Sequence, residues 1–223
     1  MILSHSRRFI LVKTRKTAST SLERAIIPHL DPRDTWTPIS LPAVAGRNYY
    51  SLWPADILSA KWFRAREWIG RDHWLHHRFA YDHMPISQIR RWLSADAFGQ
   101  YRKYAFDRNP WDFIVSYWFF YRRKERASHW DFDRFLHEYP IISNWDLYTE
   151  NGLVAVDKVY RFEELSSAVN EIAAQTGLAL GILPEDKRNY REARDYRSYY
   201  TASSRDLVAA RWDRTIQLLG YDF

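Results

Sequence analysis

Two segments of the chain concentrate side chains that bind anions. Lys13 to Ser21 reads KTRKTASTS, with three cations and five hydroxyls in nine residues. A polar turn leading from a strand into a helix leaves backbone N–H groups without helical acceptors and adds the positive end of the helix dipole. Arg15, Lys16, Thr17, Ala18, Ser19, Thr20 and Ser21 therefore make a candidate phosphate-binding loop. The competing reading is a solvated, capped helix start with incidental lysines. The second segment is FDRNPWDFIVSYW, Phe106 to Trp118. Asn109 and Pro110 suit the N-cap and first position of a helix, and Asp112 suits its dipole. Arg108 has no such local role. A guanidinium there can hold a phosphate through two parallel hydrogen bonds; an ion pair with Asp107 or Asp112 is the alternative. Ser116 follows eight residues after Arg108, about two helical turns.

A base is also available. Four of the eight histidines, His73, His76, His77 and His83, fall within 73–83. A neutral imidazole suits proton abstraction. His83, just before PISQIRRWL, is the first candidate, with His76 and His77 in reserve; a capping or surface role is the alternative. Glu23 and Asp82 are weaker candidates.

These residues need a scaffold. Arg8 to Lys13 (RFILVK) predicts a buried strand, and Leu22 to Ile27 a helix ended by Pro28. Tyr104 to Phe106 predicts a second strand, with a helix from Pro110 to about Lys124. A third strand lies within Val154 to Phe162. Helices are expected over Pro85–Leu93, Phe132–Glu138, Glu164–Thr176 and Ala202–Leu219, the last two stopped by Gly177 and Gly220. Residues 28–68 are weakly patterned and carry several prolines. The alternation predicts an α/β fold: one domain over 1–223, with a central, mainly parallel sheet flanked by helices. Both basic junctions then open at the C-terminal strand edge.

Composition narrows the chemistry. Lys and Arg exceed Asp and Glu by 33 − 27 = 6, and aromatic residues make up 17%. That balance points to an anionic partner. The absence of cysteine excludes a disulfide framework, a zinc–thiolate site and a thiol nucleophile. No metal-ligand spacing is evident. No window approaches 18 uninterrupted apolar residues, and Phe9–Val12 is too short for a signal segment, so stable membrane insertion is not expected and a cytoplasmic location is. No glycine lies between Met1 and Ala45, so the first segment is not a Walker A loop.

The two segments in this order resemble the sulfotransferases that use 3′-phosphoadenosine 5′-phosphosulfate (PAPS). KTRKTASTSLE is similar to their 5′-phosphosulfate loop, and KTASTS is especially like the carbohydrate sulfotransferases acting on uronic acids of heparan chains. FDRNPWDFIVSYW is similar to their 3′-phosphate segment. VDKVYRFEEL and the terminal GYDF also resemble the family, whereas residues 28–75 do not enter the comparison. The resemblance implies a P-loop-like sulfotransferase fold. It places Lys16 at the bridging oxygen, Thr17 to Ser21 around the phosphosulfate, and Arg108 with Ser116 at the 3′-phosphate. It assigns the base to His83, because related enzymes carry a functional histidine in a similar segment. Arg191, Arg194 and Arg197 match a second cofactor-contacting loop by position alone, without the family's glycines.

The expected activity is transfer of a sulfuryl group from PAPS to a hydroxyl of a carbohydrate, glycolipid or small-molecule alcohol, leaving adenosine 3′,5′-bisphosphate. Two alternatives stand beside it. A P-loop-like nucleotide kinase lacks its glycines here. A nucleic-acid-binding protein would use the charge and aromatics, but acidic residues interleave the basic ones and no nucleic-acid motif is present, so no nucleic-acid partner is expected.

Overall fold

A computed structural model describes residues 1–31, 33–37, 83–123, 129–181, 183 and 195–223. The first strand is β1 (Ile2–Ser4), followed by β2 (Phe9–Val12), α1 (Ser19–Ile26) and β3 (Thr35–Trp36). Then come α2 (Ile86–Ile89), α3 (Ala95–Gln100), β4 (Arg102–Asp107), α4 (Pro110–Arg123) and α5 (Phe132–Glu138). The chain continues through α6 (Trp145–Tyr148), β5 (Thr149–Glu150), β6 (Leu153–Val154), β7 (Lys158–Arg161) and α7 (Leu165–Thr176). It ends with α8 (Ala202–Arg211) and α9 (Asp213–Leu219).

The main sheet has the order β3-β1-β2-β4-β7, and β5 and β6 form a separate two-stranded sheet. β2 and β4 are parallel, as are β4 and β7, whereas β1 is antiparallel to both β2 and β3. The sheet is therefore mixed, which corrects the expectation of a mainly parallel one. The cause lies at the start of the chain. Ile2–Ser4 is too short to show a period, yet it pairs with β2 as a hairpin, Ile2 opposite Leu11 and Ser4 opposite Phe9. The parallel trio β2, β4 and β7 matches the predicted strands, so their C-terminal ends do share one edge.

Side chains alternate across this sheet as a strand period of two requires. Phe9 and Leu11 of β2, with Tyr104 and Phe106 of β4, pack beneath Leu22 and Ile26 of α1 and Val169 and Ile172 of α7. Ile10, Val12 and Ala105 face the other way, against Ile86 and Ile89 of α2 and Leu147 and Tyr148 around α6. Each fully buried aliphatic or aromatic side chain contributes about 1.5–3 kcal/mol. These opposed layers hold the edge that carries the loop. A third apolar cluster joins α4 and α5 to the C-terminal segment through Trp118, Phe135, Val208 and Tyr221.

The sequence predicts one terminal helix over Ala202–Leu219, but the structure has two. Thr201 and Ser204 form a capping box that starts α8, and Trp212 (φ −116°, ψ 23°) breaks the run. Its side chain stays buried in the third cluster while the backbone turns. Gly220 ends α9 in the left-handed conformation, as expected (φ 61°).

Candidate functional site

The loop between β2 and α1 is built without glycine. Lys16 (φ 61°) and Ala18 (φ 55°) both occupy the left-handed region, a conformation that costs about 1–2 kcal/mol for each non-glycine residue. Bonds from inside and outside the loop hold it there. The Thr14 carbonyl accepts the Thr17 hydroxyl at 3.2 Å and also the Ser19 hydroxyl. Thr14 Oγ1 donates to the Phe106 carbonyl at 2.6 Å, tying the loop to β4. Thr17 and Ser19, expected to offer their hydroxyls to a ligand, thus brace the loop. The start of α1 supplies the backbone N–H groups that no helical carbonyl can satisfy.

Lys13 does not serve as a ligand in this arrangement. Its ammonium is buried, pairs with Glu23 at 2.8 Å and donates to the Thr37 carbonyl. Glu23, a weaker base candidate, is engaged in that ion pair. Ser21 is buried and Thr20 half-buried.

Arg108 joins the two basic segments. Its Nη1 donates to the Lys16 carbonyl at 3.1 Å. Nε and Nη2 both donate to Asp112 Oδ2, at 2.8 and 2.5 Å, and the guanidinium carbon lies 4.5 Å from the centre of the Phe162 ring. The Asp112 ion pair, one of the two readings of Arg108, is therefore present. It consumes one edge of the fork. Three of the five guanidinium N–H groups are used in these bonds.

Positions 112, 116 and 120 follow one another at four-residue steps along α4, a single helical stripe, and Arg108 precedes the helix and pairs with Asp112 at its start. Lys16 touches Arg108 just before α4 and Phe120 on the stripe: its carbonyl accepts from Arg108, and its ammonium lies 4.6 Å over the Phe120 ring. Ser116 sits on the same stripe, half-buried, between these two contacts. The loop is thus brought against the β4–α4 junction and this face of α4, with Lys16 facing Arg108 and the stripe that carries Ser116.

His83 also reaches the loop. Its backbone is left-handed (φ 54°), and its Nδ1 lies 2.8 Å from the Lys13 carbonyl. A carbonyl only accepts, so Nδ1 carries the proton and the neutral ring keeps its lone pair on Nε2. His73, His76 and His77 lie outside the described residues, as do Asp82, Arg191 and Arg194. Arg197 is half-exposed. It bonds Asp195 at 3.3 Å and lies over the rings of Tyr196 and Phe223. Tyr196 accepts from Asn109 Nδ2 at 3.4 Å, which sets this segment beside the start of α4. No bond links Arg197 to the loop among the described contacts.

Sequence reasoning missed the support beneath the loop. Asp107, at the end of β4, is buried and accepts from Arg108 N–H (2.9 Å), Asn144 Nδ2 (3.0 Å) and the Tyr148 hydroxyl (2.8 Å). Asn144 in turn bonds the backbone of Arg15. Nothing in SNWD distinguishes this asparagine from a helix cap. Burial pushes the Asp107 carboxyl up to about 6, against the pull of its three hydrogen bonds. A folded-state value above the unfolded one adds stability that is complete below the unfolded value and lost as pH rises through the folded one. Asp107→Asn removes this titration. Wild type is therefore expected to lose about 1 kcal/mol relative to Asp107→Asn between pH 5 and 7.5, read from urea midpoints. A constant difference would show that Asp107 is not a buried, titrating carboxyl.

Among the described residues, no helix is long and apolar enough to cross a membrane. No group of three or more histidine, aspartate or glutamate side chains there is placed to hold a metal ion. No family model matches the chain. It is 29% identical over 100 residues to an uncharacterized protein of Archaeoglobus fulgidus, a match covering 43% of this chain and 83% of the relative.

Proposed function

We propose that the protein is a PAPS-dependent sulfotransferase with a P-loop-like sulfotransferase fold, acting on a hydroxyl of a carbohydrate, glycolipid or related alcohol. The observation that carries this reading is the 3.1 Å bond from Arg108 to the Lys16 carbonyl. It brings both basic junctions to one edge, as a donor with a phosphosulfate at one end and a 3′-phosphate at the other requires. The start of α1 and Lys16 would hold the phosphosulfate. Arg108, through its remaining N–H groups, and Ser116 would hold the 3′-phosphate. His83 Nε2 would take the acceptor's proton as the hydroxyl oxygen bonds to sulfur. The bridging S–O bond then breaks, and Lys16 stabilises the charge left on the departing phosphate. Arg197, whose guanidinium bonds Asp195 through Nη1, would offer the donor its other N–H groups.

The decisive measurement is binding of the product nucleotide. Adenosine 3′,5′-bisphosphate at 100 times its Kd should add about 2.7 kcal/mol to stability, seen as a raised Tm without added metal. Arg108→Ala should weaken that binding about 10- to 100-fold, the size of a lost charge-assisted contact. A larger shift with ATP and Mg²⁺ would favour a nucleotide kinase. Steeply salt-dependent binding of DNA or RNA, with no response to mononucleotides, would favour a nucleic-acid binder.

A further inference from the structure

We infer that Asn144 is the positioning residue that sets the shape of the anion-binding loop. Asn144 stands at the N-cap of α6, where an asparagine ordinarily bonds the first turn of its own helix. Here its side chain makes no such cap. The side chain is buried and turned to the loop instead. Oδ1 accepts the Arg15 N–H at 2.8 Å, and Nδ2 donates to the Arg15 carbonyl at 3.0 Å. The same Nδ2 donates to Asp107 Oδ1 at 3.0 Å. One amide therefore grips both backbone polar groups of a single loop residue and ties them to the end of β4.

The position of that grip matters. Arg15 immediately precedes Lys16, whose left-handed backbone aims its side chain and carbonyl. Arg108 then takes the Lys16 carbonyl from the other side. With no glycine in the loop, the strained conformation persists only while its surroundings over-determine it. Asn144 supplies two of those bonds, and no hydrophobic contact could replace a donor and an acceptor at once. Asp107 fixes the amide's orientation, because only the NH₂ end can face a carboxylate. This inference rests on the sulfotransferase reading for what the loop binds, but not for what holds the loop.

Hydrogen exchange and nucleotide binding together test it. In Asn144→Ala, exchange of the Arg15 amide should rise at least tenfold, and affinity for adenosine 3′,5′-bisphosphate should fall at least tenfold. Thr201→Ala is the control, since its hydroxyl caps α8 by accepting from Ser204. It should lower Tm and leave both readouts unchanged. Asn144→Asp keeps the acceptor for the Arg15 N–H but removes the donor and faces Asp107 with a second carboxylate. It should also bind at least tenfold more weakly, and adding Asp107→Asn should recover threefold or more. The Asp pair carries the test if Asn144→Ala does not fold. Unchanged Arg15 exchange and affinity in the Asn144 variants, or equal losses in Thr201→Ala, would overturn the assignment. If wild type binds no bisphosphate while Arg15 exchange still rises in Asn144→Ala, the donor reading fails and the anchor stands.

Discussion

Lys16→Ala is expected to lower kcat by about three orders of magnitude, the loss seen when one preorganised charge-stabilising group is removed. Affinity for adenosine 3′,5′-bisphosphate should fall by no more than about tenfold, because Arg108 and the start of α1 remain. The expectation rests on geometry around the lysine. Its backbone is fixed by left-handed φ and by the bond from Arg108 to its carbonyl. Its ammonium rests over Phe120, a contact worth about 0.5–1 kcal/mol at an accessible face. Two further variants separate charge from backbone. Lys16→Gly relieves the strain at φ 61° and removes the charge, so it should fold at least as well and be as inactive as alanine. Lys16→Arg keeps the charge but spreads it over a planar fork, and should restore only part of the rate. Single-turnover transfer and bisphosphate titration measure both quantities. Turnover within a factor of three of wild type in Lys16→Ala would remove this residue from the chemistry.

How far the site was legible depended on whether a residue's role is local. Asn109 and Pro110 announce a helix start by themselves, and α4 begins at Pro110 as expected, because capping depends on neighbours three or four positions away. Gly177 and Gly220 likewise mark helix ends by a conformation that L side chains avoid. β1 was hidden because three residues cannot display a period, and its pairing with β2 is what makes the sheet mixed. The anion-binding segments were visible as composition, but the direction of each hydroxyl was not. Thr17 and Ser19 look like ligands in the sequence and turn inward to the Thr14 carbonyl in the fold. Arg108 admitted two readings, an ion pair and an anion contact, and its fork has donors enough for Asp112 and for a further partner. Asn144 was beyond reach, because its partners Arg15 and Asp107 lie 129 and 37 residues away.

His83→Ala should reduce transfer about a thousandfold, within the range for loss of a general base, and leave bisphosphate affinity within threefold of wild type. Two roles of this histidine must be separated. Through Nδ1 it donates to the Lys13 carbonyl at 2.8 Å, next to the loop, so its loss could act by loosening the backbone there. Asparagine tells the two apart. It tolerates the left-handed φ of 54° at this position, and its amide NH₂ can donate to the same carbonyl, but it offers no imidazole. If His83 is the base, His83→Asn keeps the loop and is as inactive as alanine. If His83 only braces Lys13, asparagine restores the rate. The pH profile gives an independent sign. Acidification protonates the imidazole and removes its lone pair, so wild-type turnover falls on the acid side, and the residual rate of His83→Asn lacks that limb. Full activity in His83→Asn, with the acid limb intact, would move the search for the base to His76 and His77.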